Sequence, residues 1–200
     1  MKPGPSPKYD RDTVLDMAMK VFWLRGYPDT NLKEVLDRAG IGRQSLYAGF
    51  GDKHSLFLSA LERYFECLLE PRIEMLYQDQ SGDGLGGVRG VIDDWRIGAA
   101  SADRRGCLFA NTITELGRRR DPEIEKILVE GRQKVEDAFV HAFTRASMLG
   151  GISDQADPIA LARLTINVAD GLSMQVKISR DQIAYGNMTL DQLMKFIQSA

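Results

Sequence analysis

The amino-acid sequence predicts an all-α protein of about nine helices. Apolar residues recur three and four positions apart along most of the 200 residues, which is the period of an amphipathic helix. Capping residues and glycines separate these segments, at the points where helices begin and end. No stretch alternates apolar and polar residues with the period of two that a half-buried strand shows.

The first predicted helix follows Asp10, a suitable N-cap, and stops at Gly26. Its buried stripe consists of Val14, Met17, Ala18, Val21 and Phe22. Residues 1–9 precede it and contain three prolines, so they predict a flexible N-terminal tail. A basic arm that reaches DNA is the alternative, because the tail also carries two lysines.

Two short helices joined by a tight turn are predicted between residues 30 and 50. Asn31 and Glu34 have the spacing of a capping box, and Gly40 suits the left-handed residue that ends a helix. The apolar stripe between them consists of Leu32, Val35, Leu36 and Ala39. After a glycine turn, a second helix begins at Arg43 with polar side chains outward, which is the pattern of a helix-turn-helix.

The outward face of this second helix predicts contacts with DNA. Arg43 and Gln44 suit the edges of guanine and adenine, and Ala48 suits a thymine methyl group. Thr30 and Asn31, at the N-terminus of the preceding helix, suit a phosphate. The predicted DNA-binding residues are Thr30, Asn31, Arg43, Gln44, Ser45, Tyr47, Ala48 and Lys53. A merely solvated Arg43 and Gln44 are the alternative.

This part of the chain resembles the TetR/AcrR family of bacterial transcription regulators over roughly residues 10–60. The resemblance rests on Ala18, Phe22, Gly26, Tyr27, Thr30, Ala39, Gly40, Ile41, Leu46, Tyr47, Phe50, Lys53 and Leu56. Residues that depart from the family pattern are Leu36, Gly42 and Gly49. The resemblance implies three DNA-binding helices followed by a long linking helix, with Tyr47 and Lys53 as phosphate contacts.

Composition is consistent with a DNA reader that carries a separate partner domain. Residues 1–53 hold nine Lys/Arg and seven Asp/Glu, whereas the remainder holds 17 and 21, for a net charge of −2. No apolar run approaches the roughly 18 residues of a membrane span, and no signal peptide precedes the first helix. Two cysteines do not make a disulfide framework, so a reduced cytoplasm is the expected location.

The fourth predicted helix begins at Lys53, and Pro71 ends or kinks it. Asp-Pro pairs at 121–122 and 157–158 start the seventh and eighth helices. Thr189, spaced as a capping box with an amide three residues later, starts the ninth. The predicted organisation is a tail at 1–9, a three-helix helix-turn-helix DNA-binding domain at 10–52, and a C-terminal helical ligand-binding and dimerisation domain at 53–200.

The resemblance also implies an effector pocket between helices four and eight. A few polar groups among apolar helices suit a small organic molecule. The predicted ligand-binding residues are Trp95, Cys107, Phe109, Asn111, Glu115 and Asn167. Ordinary core or surface positions are the alternative for each of them.

The last two helices predict a homodimer interface, since one helix-turn-helix reads only a few base pairs and two-fold dimers read two half-sites. A terminal helix pair this apolar is difficult to cover within one chain. The predicted interface residues are Leu164, Val168, Leu172, Leu193 and Ile197. An intramolecular core is the alternative for the same residues.

Other chemistry-bearing residues give weaker signals. Cys107 opens the sixth predicted helix beside two arginines, a setting that favours thiolate. An oxidant- or electrophile-sensing cysteine is one interpretation, and a buried small apolar side chain is the other. His54 and His141 are too few and too far apart to predict a metal site, and no cofactor is predicted. Residues 82–87 satisfy G-x-G-x-x-G, but no strand precedes them, so a flexible turn is predicted.

The sequence therefore predicts a cytoplasmic, homodimeric repressor that binds a palindromic operator in double-stranded DNA and is released by a small organic effector. It is not predicted to be an enzyme, because no nucleophile or phosphate-binding motif is present. A helical enzyme or small-molecule carrier with a vestigial helix-turn-helix is one alternative. A constitutive DNA-binding protein without an effector is another.

Overall fold

The structure is a computed structural model that describes residues 9–100, 103–117, 121–179 and 181–200. Within these ranges every regular element is helical, with nine helices and no strand, so the predicted fold class is confirmed. Residues 1–8 of the predicted tail lie outside the described ranges.

Three short helices form the N-terminal head. They are α1 (Arg11–Arg25), α2 (Leu32–Ala39) and α3 (Arg43–Phe50). Asp10 caps α1 by accepting from the Thr13 N–H, and Asn31 caps α2 by accepting from the Lys33 N–H. Gly40 ends α2 with φ 65° and ψ 29°, the left-handed conformation that the sequence predicts.

The long helix α4 joins the head to the rest of the chain, which we call the body. It runs through an α-helical stretch (Lys53–Tyr64), a π-helical turn (Phe65–Leu69) and a second α-helical stretch (Glu70–Tyr77). Pro71 has no N–H to give to the Cys67 carbonyl, and its ring crowds that carbonyl. The π turn widens the helix just before this position, so Pro71 distorts α4 without ending it.

Five further helices complete the body. They are α5 (Gly86–Ala99), α6 (Leu108–Leu116), α7 (Pro122–Met148), α8 (Pro158–Gln175) and α9 (Asp181–Ser199). Asp121 and Asp157 cap α7 and α8 with proline at the next position, as predicted.

The predicted start of the last helix is wrong. Thr189 lies inside α9, where its hydroxyl donates to the Tyr185 carbonyl one turn earlier, so it does not cap. Gly186 is buried against α8, since a Cβ at this position would lie 3.5 Å from Leu172 Cδ2. Packing on α8 therefore extends α9 through residues of low helix propensity.

Two apolar cores lie in the molecule. The first is centred on Phe22, Leu46 and Phe57 of the head and α4, and it continues into Phe109 of α6 and Leu128 of α7. The second is formed within the body by Leu76, Ile92, Phe139, Phe143, Leu161, Ile166, Leu190 and Ile197. Because the first core includes side chains from α6 and α7, the head is packed directly on the body.

Candidate nucleic-acid interface and ligand cavity

Helix α3 separates its side chains into a buried and an exposed face. Leu46 and Phe50 are buried in the first core, whereas Arg43, Gln44 and Ala48 are exposed. Tyr47 is 45% exposed, so it does not pack into the core. Among the described residues none pairs with the Arg43 guanidinium or the Gln44 amide. The face carries free donors of the kind that read base edges.

The two predicted contacts at the start of α2 differ from each other. Asn31 is exposed, although its side-chain oxygen is used to cap α2. Thr30 is only 3% exposed, and its hydroxyl donates to the Gly26 carbonyl at 2.6 Å. The side chain of Thr30 therefore closes the turn before α2 and does not present its hydroxyl to a phosphate, contrary to prediction.

Glu34 is not the second half of a capping box, which corrects the predicted role. Its carboxylate accepts from Arg25 at 3.2 Å and from Arg38 at 2.7 Å. These two guanidinium groups lower the pKa of Glu34. The head thus holds two of its cations on its own acidic group, whereas none of the described residues pairs with Arg43.

Lys53 is fixed at the edge of the head. Its ammonium donates to the Pro28 carbonyl at 3.0 Å and lies 5.0 Å from the centre of the Tyr27 ring. Both contacts tie the first residue of α4 to the turn between α1 and α2. A phosphate bound by Lys53 would therefore touch a fixed part of the head.

Tyr9 contacts α3, although the sequence predicts that this residue belongs to the flexible tail. Its hydroxyl donates to the Ser45 carbonyl at 3.1 Å, and its ring lies 6.3 Å from that of Phe50. Gly49 makes this approach possible, since a Cβ there would lie 2.1 Å from the Tyr9 hydroxyl. Tyr9 therefore supports the inner side of α3, while the Ser45 side chain is half-buried. The absence of a side chain at Gly49 is the feature of the sequence that could have predicted this contact with Tyr9.

The body encloses a cavity of about 370 Å³. Its walls are mainly apolar and come from α1 and from α4 to α9, with Trp23, Tyr64, Leu68, Trp95, Phe109, Phe139, Ile166 and Leu172 among the lining residues. The volume and apolar lining are those of a site for a small organic molecule.

Three of the six predicted ligand residues line this cavity, namely Trp95, Cys107 and Phe109. The other three do not, which corrects the prediction. Asn111 donates to the Arg105 carbonyl at 2.8 Å and shapes the turn before α6. Asn167 is exposed on α8. Glu115 is also exposed, and its carboxylate accepts from the Tyr27 N–H at 2.9 Å.

Polar groups at the cavity wall are mostly paired with each other. Arg72 donates to Asp94 at 2.6 Å, and Arg132 lies 2.6 Å from Asp170. The sequence did not predict these four side chains, because the two members of each pair lie on different helices and no local spacing joins them. These four charges therefore compensate one another within the wall, whereas Arg105, which also lines the cavity, is paired at 3.3 Å with Asp103, which does not.

The cavity adjoins the head at the segment before α6. The Trp23 indole N–H of α1 donates to the Gly106 carbonyl at 3.1 Å, and the Arg105 guanidinium lies 4.3 Å from the centre of the Trp23 ring. A Cβ on Gly106, which has φ +66°, would lie 2.2 Å from the Ser173 carbonyl oxygen of α8. This segment is therefore held between the head and α8.

The exposed apolar face of α8 and α9 differs from the predicted one. Leu193 and Ile197 are 5% and 0% exposed and belong to the second core, so their assignment to a subunit interface is wrong. Leu164 is 39% exposed, and Val168 and Leu172 are half-buried. The large apolar residues that are exposed on the described parts of these helices are Ile159, Leu164, Met174, Tyr185, Met188 and Phe196.

His54 lies in a group that sequence spacing did not reveal. Its Nε2 is 3.1 Å from Asp121 Oδ2 and 3.3 Å from Glu123 Oε2, which joins the start of α4 to the start of α7. The three ligand atoms lie within 4.8 Å of one another, a separation that also suits a divalent cation. These two carboxylates are distant from His54 in sequence, so no local motif predicts the cluster.

Comparison with known proteins identifies the architecture. Residues 14–60 match the model of bacterial regulatory proteins of the tetR family, and residues 84–189 match that of the tetracyclin repressor-like C-terminal domain. The chain is 31% identical over 180 residues to the HTH-type transcriptional regulator YezE of Bacillus subtilis, covering 89% of this chain and 91% of that protein. The chain belongs to the TetR family. It is therefore a DNA-binding transcriptional regulator.

Other transcription regulators are similar along most of their length. The repressor ComR of Escherichia coli is 25% identical over 182 residues, which covers 87% of this chain and 82% of ComR. A cysteine mutant of the regulator CifR, solved in complex with a 26-base-pair operator DNA, is 28% identical with a TM-score of 0.76, covering 96% of this chain and 98% of CifR. A TetR-family structure from Agrobacterium tumefaciens has the same fold, with a TM-score of 0.80 at 17% identity over 92% of this chain and 95% of that one.

Membership of the TetR family decides against the helical enzyme that the sequence left open as an alternative. The family consists of transcription regulators and not of enzymes, so the enzyme alternative is set aside. In the part of the chain that the structure describes, no helix combines the length and apolar character needed to cross a bilayer.

Proposed function

We propose that this TetR-family regulator is a cytoplasmic repressor that binds a palindromic operator as a homodimer and leaves it when a small organic molecule enters the cavity. The observation that carries the proposal is that the cavity wall touches the head. Trp23 lines the cavity, lies in α1 and hydrogen-bonds to the segment before α6. A ligand in the cavity therefore contacts the same structure that holds α3.

The proposed DNA binding is supported by the exposed face of α3, where no described residue pairs with Arg43 or Gln44. Arg43 and Gln44 stand at its start, where recognition helices meet base edges. The CifR mutant, similar over almost the whole chain, was solved with operator DNA. We assign base contacts to Arg43, Gln44 and Ala48, and phosphate contacts to Asn31, Tyr47 and Lys53. The division into residues 10–52 and 53–200 belongs to the same proposal.

The proposed release by a ligand is an application of thermodynamic linkage between two binding sites. If the ligand favours a spacing of the two heads that does not match the operator, ligand and DNA weaken each other's binding by the same factor. A constitutive DNA-binding protein would show no such coupling. The 370 Å³ cavity next to the head favours a ligand-responsive regulator.

Fluorescence anisotropy tests the DNA half. The probe is the DNA upstream of the protein's own coding region, with scrambled DNA as the control, at several salt concentrations. We expect selective binding by one dimer per palindrome, and a loss of about 1–3 kcal/mol for Arg43→Ala. Lys126→Ala, which removes a cation from α7 of the body, is the matched control. Binding without sequence preference, or equal losses for the two variants, would contradict the proposal.

A further inference from the structure

Arg105 is the charged residue of the cavity wall whose acidic partner lies outside the wall. The described wall contains three arginines and two aspartates, which gives it a net charge of +1. Arg72 and Arg132 each pair at 2.6 Å with an aspartate that also lines the cavity. A ligand therefore meets both charges of these two pairs, whereas at Arg105 it meets a cation alone.

The contacts of Arg105 leave its guanidinium able to bind an anion. It lies 3.3 Å from the carboxylate of Asp103, whose side chain is 59% exposed, whereas the side chain of Arg105 is 21% exposed. An ion pair with an acid this exposed contributes little, because water screens it. Its carbon Cζ lies 4.3 Å from the centre of the Trp23 ring. A guanidinium that lies over an aromatic ring can still donate to a carboxylate through the N–H groups at its edge.

The rest of the wall suits a ligand with an aromatic body. The aromatic side chains that line the cavity are Trp23, Tyr64, Trp95, Phe109 and Phe139. Such side chains pack against a further ring in offset or edge-to-face arrangements. The volume of about 370 Å³ limits the ligand to a small molecule.

We propose that the cavity binds a small aromatic monocarboxylate, whose carboxylate accepts hydrogen bonds from the Arg105 guanidinium. One carboxylate balances the net charge of the wall. A second carboxylate would lose its hydration without meeting another arginine whose acid lies outside the wall. A neutral ligand of the same shape would forgo the charge-assisted hydrogen bonds that Arg105 offers. The role of the carboxylate as the effector rests on the ligand-dependent release proposed above.

Arg105 connects this ligand site to the head. Its guanidinium lies over the ring of Trp23 in α1, and the Trp23 indole N–H donates to the carbonyl of the next residue, Gly106, at 3.1 Å. The same Gly106 lies against the Ser173 carbonyl of α8, since a Cβ on it would be 2.2 Å from that oxygen. A carboxylate that draws Arg105 into the cavity therefore moves a side chain that contacts α1.

Calorimetric titration of the full-length protein with hydrocinnamate tests the inference without DNA. Hydrocinnamamide has the same ring and chain but no charge, so it is the matched control ligand. We expect hydrocinnamate to bind at least about tenfold more tightly than the amide, since a hydrogen bond to a charged group contributes more than one between neutral groups.

Three variants assign this preference to Arg105. Arg105→Gln should remove the preference and leave the affinity for hydrocinnamamide unchanged. Arg104→Gln removes the neighbouring cation, which does not line the cavity, and should keep the preference. Asp103→Asn removes the acid that competes with the ligand for Arg105, so it should tighten hydrocinnamate binding. Because Asp103 is exposed, this variant tests the inference even if Arg105→Gln folds poorly.

Three results would overturn the inference. The first is equal affinity for hydrocinnamate and its amide, including the case in which neither binds. The second is an equal loss of hydrocinnamate affinity in Arg105→Gln and Arg104→Gln. The third is hydrocinnamate binding in Asp103→Asn that is no tighter than in the parent protein. Operator anisotropy tests the proposed function separately. If hydrocinnamate binds through Arg105 and operator affinity does not change, ligand-dependent release is contradicted while the inference about the cavity is supported.

Discussion

Glu115, in the last turn of α6, accepts a hydrogen bond from the Tyr27 backbone N–H at 2.9 Å. The contact joins α6, which contributes Phe109 to the cavity wall, to the turn between α1 and α2, across 88 residues of sequence. Together with the Trp23–Gly106 hydrogen bond, it connects both ends of α6 to the head. A shift of α6 therefore cannot leave the head unaffected.

Removing this carboxylate should loosen the head from the body. Glu115→Ala is expected to lower the free energy of unfolding by about 1 kcal/mol, because an exposed hydrogen bond has a modest net value. Glu115→Gln keeps a side-chain acceptor and should lose less. Urea denaturation with an unchanged m-value measures the difference. Glu130→Ala on α7 is the control, since Glu130 makes only an exposed ion pair with Lys126, at 3.9 Å, among the contacts of the described residues. An equal effect there would contradict the assignment.

Gly26 is the residue of the head that faces the Glu115 carboxylate. Its φ of +81° is strained for any side chain, and a Cβ would lie 1.8 Å from Glu115 Oε1. Gly26→Ala should therefore cost about 1–3 kcal/mol from backbone strain, and should also displace the Glu115 carboxylate. In the Glu115→Ala background only the strain remains, so the two substitutions should cost less together than the sum of the single values. Strict additivity in the double-mutant cycle would show that the two residues do not interact.

Lys53 is expected to neutralise one phosphate per subunit. Lys53→Gln should weaken operator binding for all sequences alike and reduce the slope of log K against log salt concentration by about one for each subunit. The salt series in anisotropy measures this slope. Lys126→Gln removes a cation from α7 and should leave it unchanged. If the slope is the same in both variants, Lys53 does not contact a DNA phosphate.

The exposed apolar residues of α8 and α9 should carry the subunit contact. Leu164→Glu or Phe196→Glu is expected to give folded monomers, because these side chains are 39% and 51% exposed in the single chain. Leu193→Ala removes a buried side chain instead, and should cost about 2–5 kcal/mol of stability without changing the stoichiometry of the folded protein. Sedimentation analysis distinguishes the two outcomes, and dimeric Leu164→Glu and Phe196→Glu would place the interface elsewhere.

The loop before α5 should contribute to acid sensitivity. Asp83 accepts from both terminal nitrogens of Arg89, at 2.8 and 2.9 Å, and this pairing holds the pKa of Asp83 well below its ordinary value. A lowered carboxyl pKa stabilises the fold above the unfolded pKa of about 3.9, and this stabilisation is lost as the pH falls through the folded pKa. Asp83 is 42% exposed, so we expect about 1 kcal/mol.

The test compares Asp83→Asn with the parent protein by urea denaturation. The two should differ most at pH 6–7, and the difference should shrink progressively below pH 4. A difference that stays constant down to pH 2 would assign the effect to packing of the loop and not to the charge. Asp154→Asn, in the exposed loop before α8, is the control for loss of a carboxylate.

The sequence predicts the head well because its signals are local. Asp10, Asn31 and Gly40 define helix ends within a few residues of themselves, and the structure agrees at each. Leu46 and Phe50 are inward because the rest of α3 is polar or small. In such a segment the period of the apolar residues decides which face is buried.

The same reasoning fails in the body for a physical reason. Helices α8 and α9 carry apolar residues on several faces, so periodicity cannot separate Leu193, which is buried, from Phe196, which is not. Asn111 and Glu115 are polar residues on an apolar helix in sequence, but their partners are set by tertiary contacts. Thr189 fits a capping pattern that packing against α8 overrides.

The placement of the two tryptophans gives the protein an intrinsic optical probe. The chain has two tryptophans, Trp23 in α1 and Trp95 in α5, and both line the cavity. All of the tryptophan emission therefore originates at the cavity wall. A compound that enters the cavity will change the intensity or wavelength of this emission without any added label, whereas one that binds elsewhere on the surface will not contact either indole.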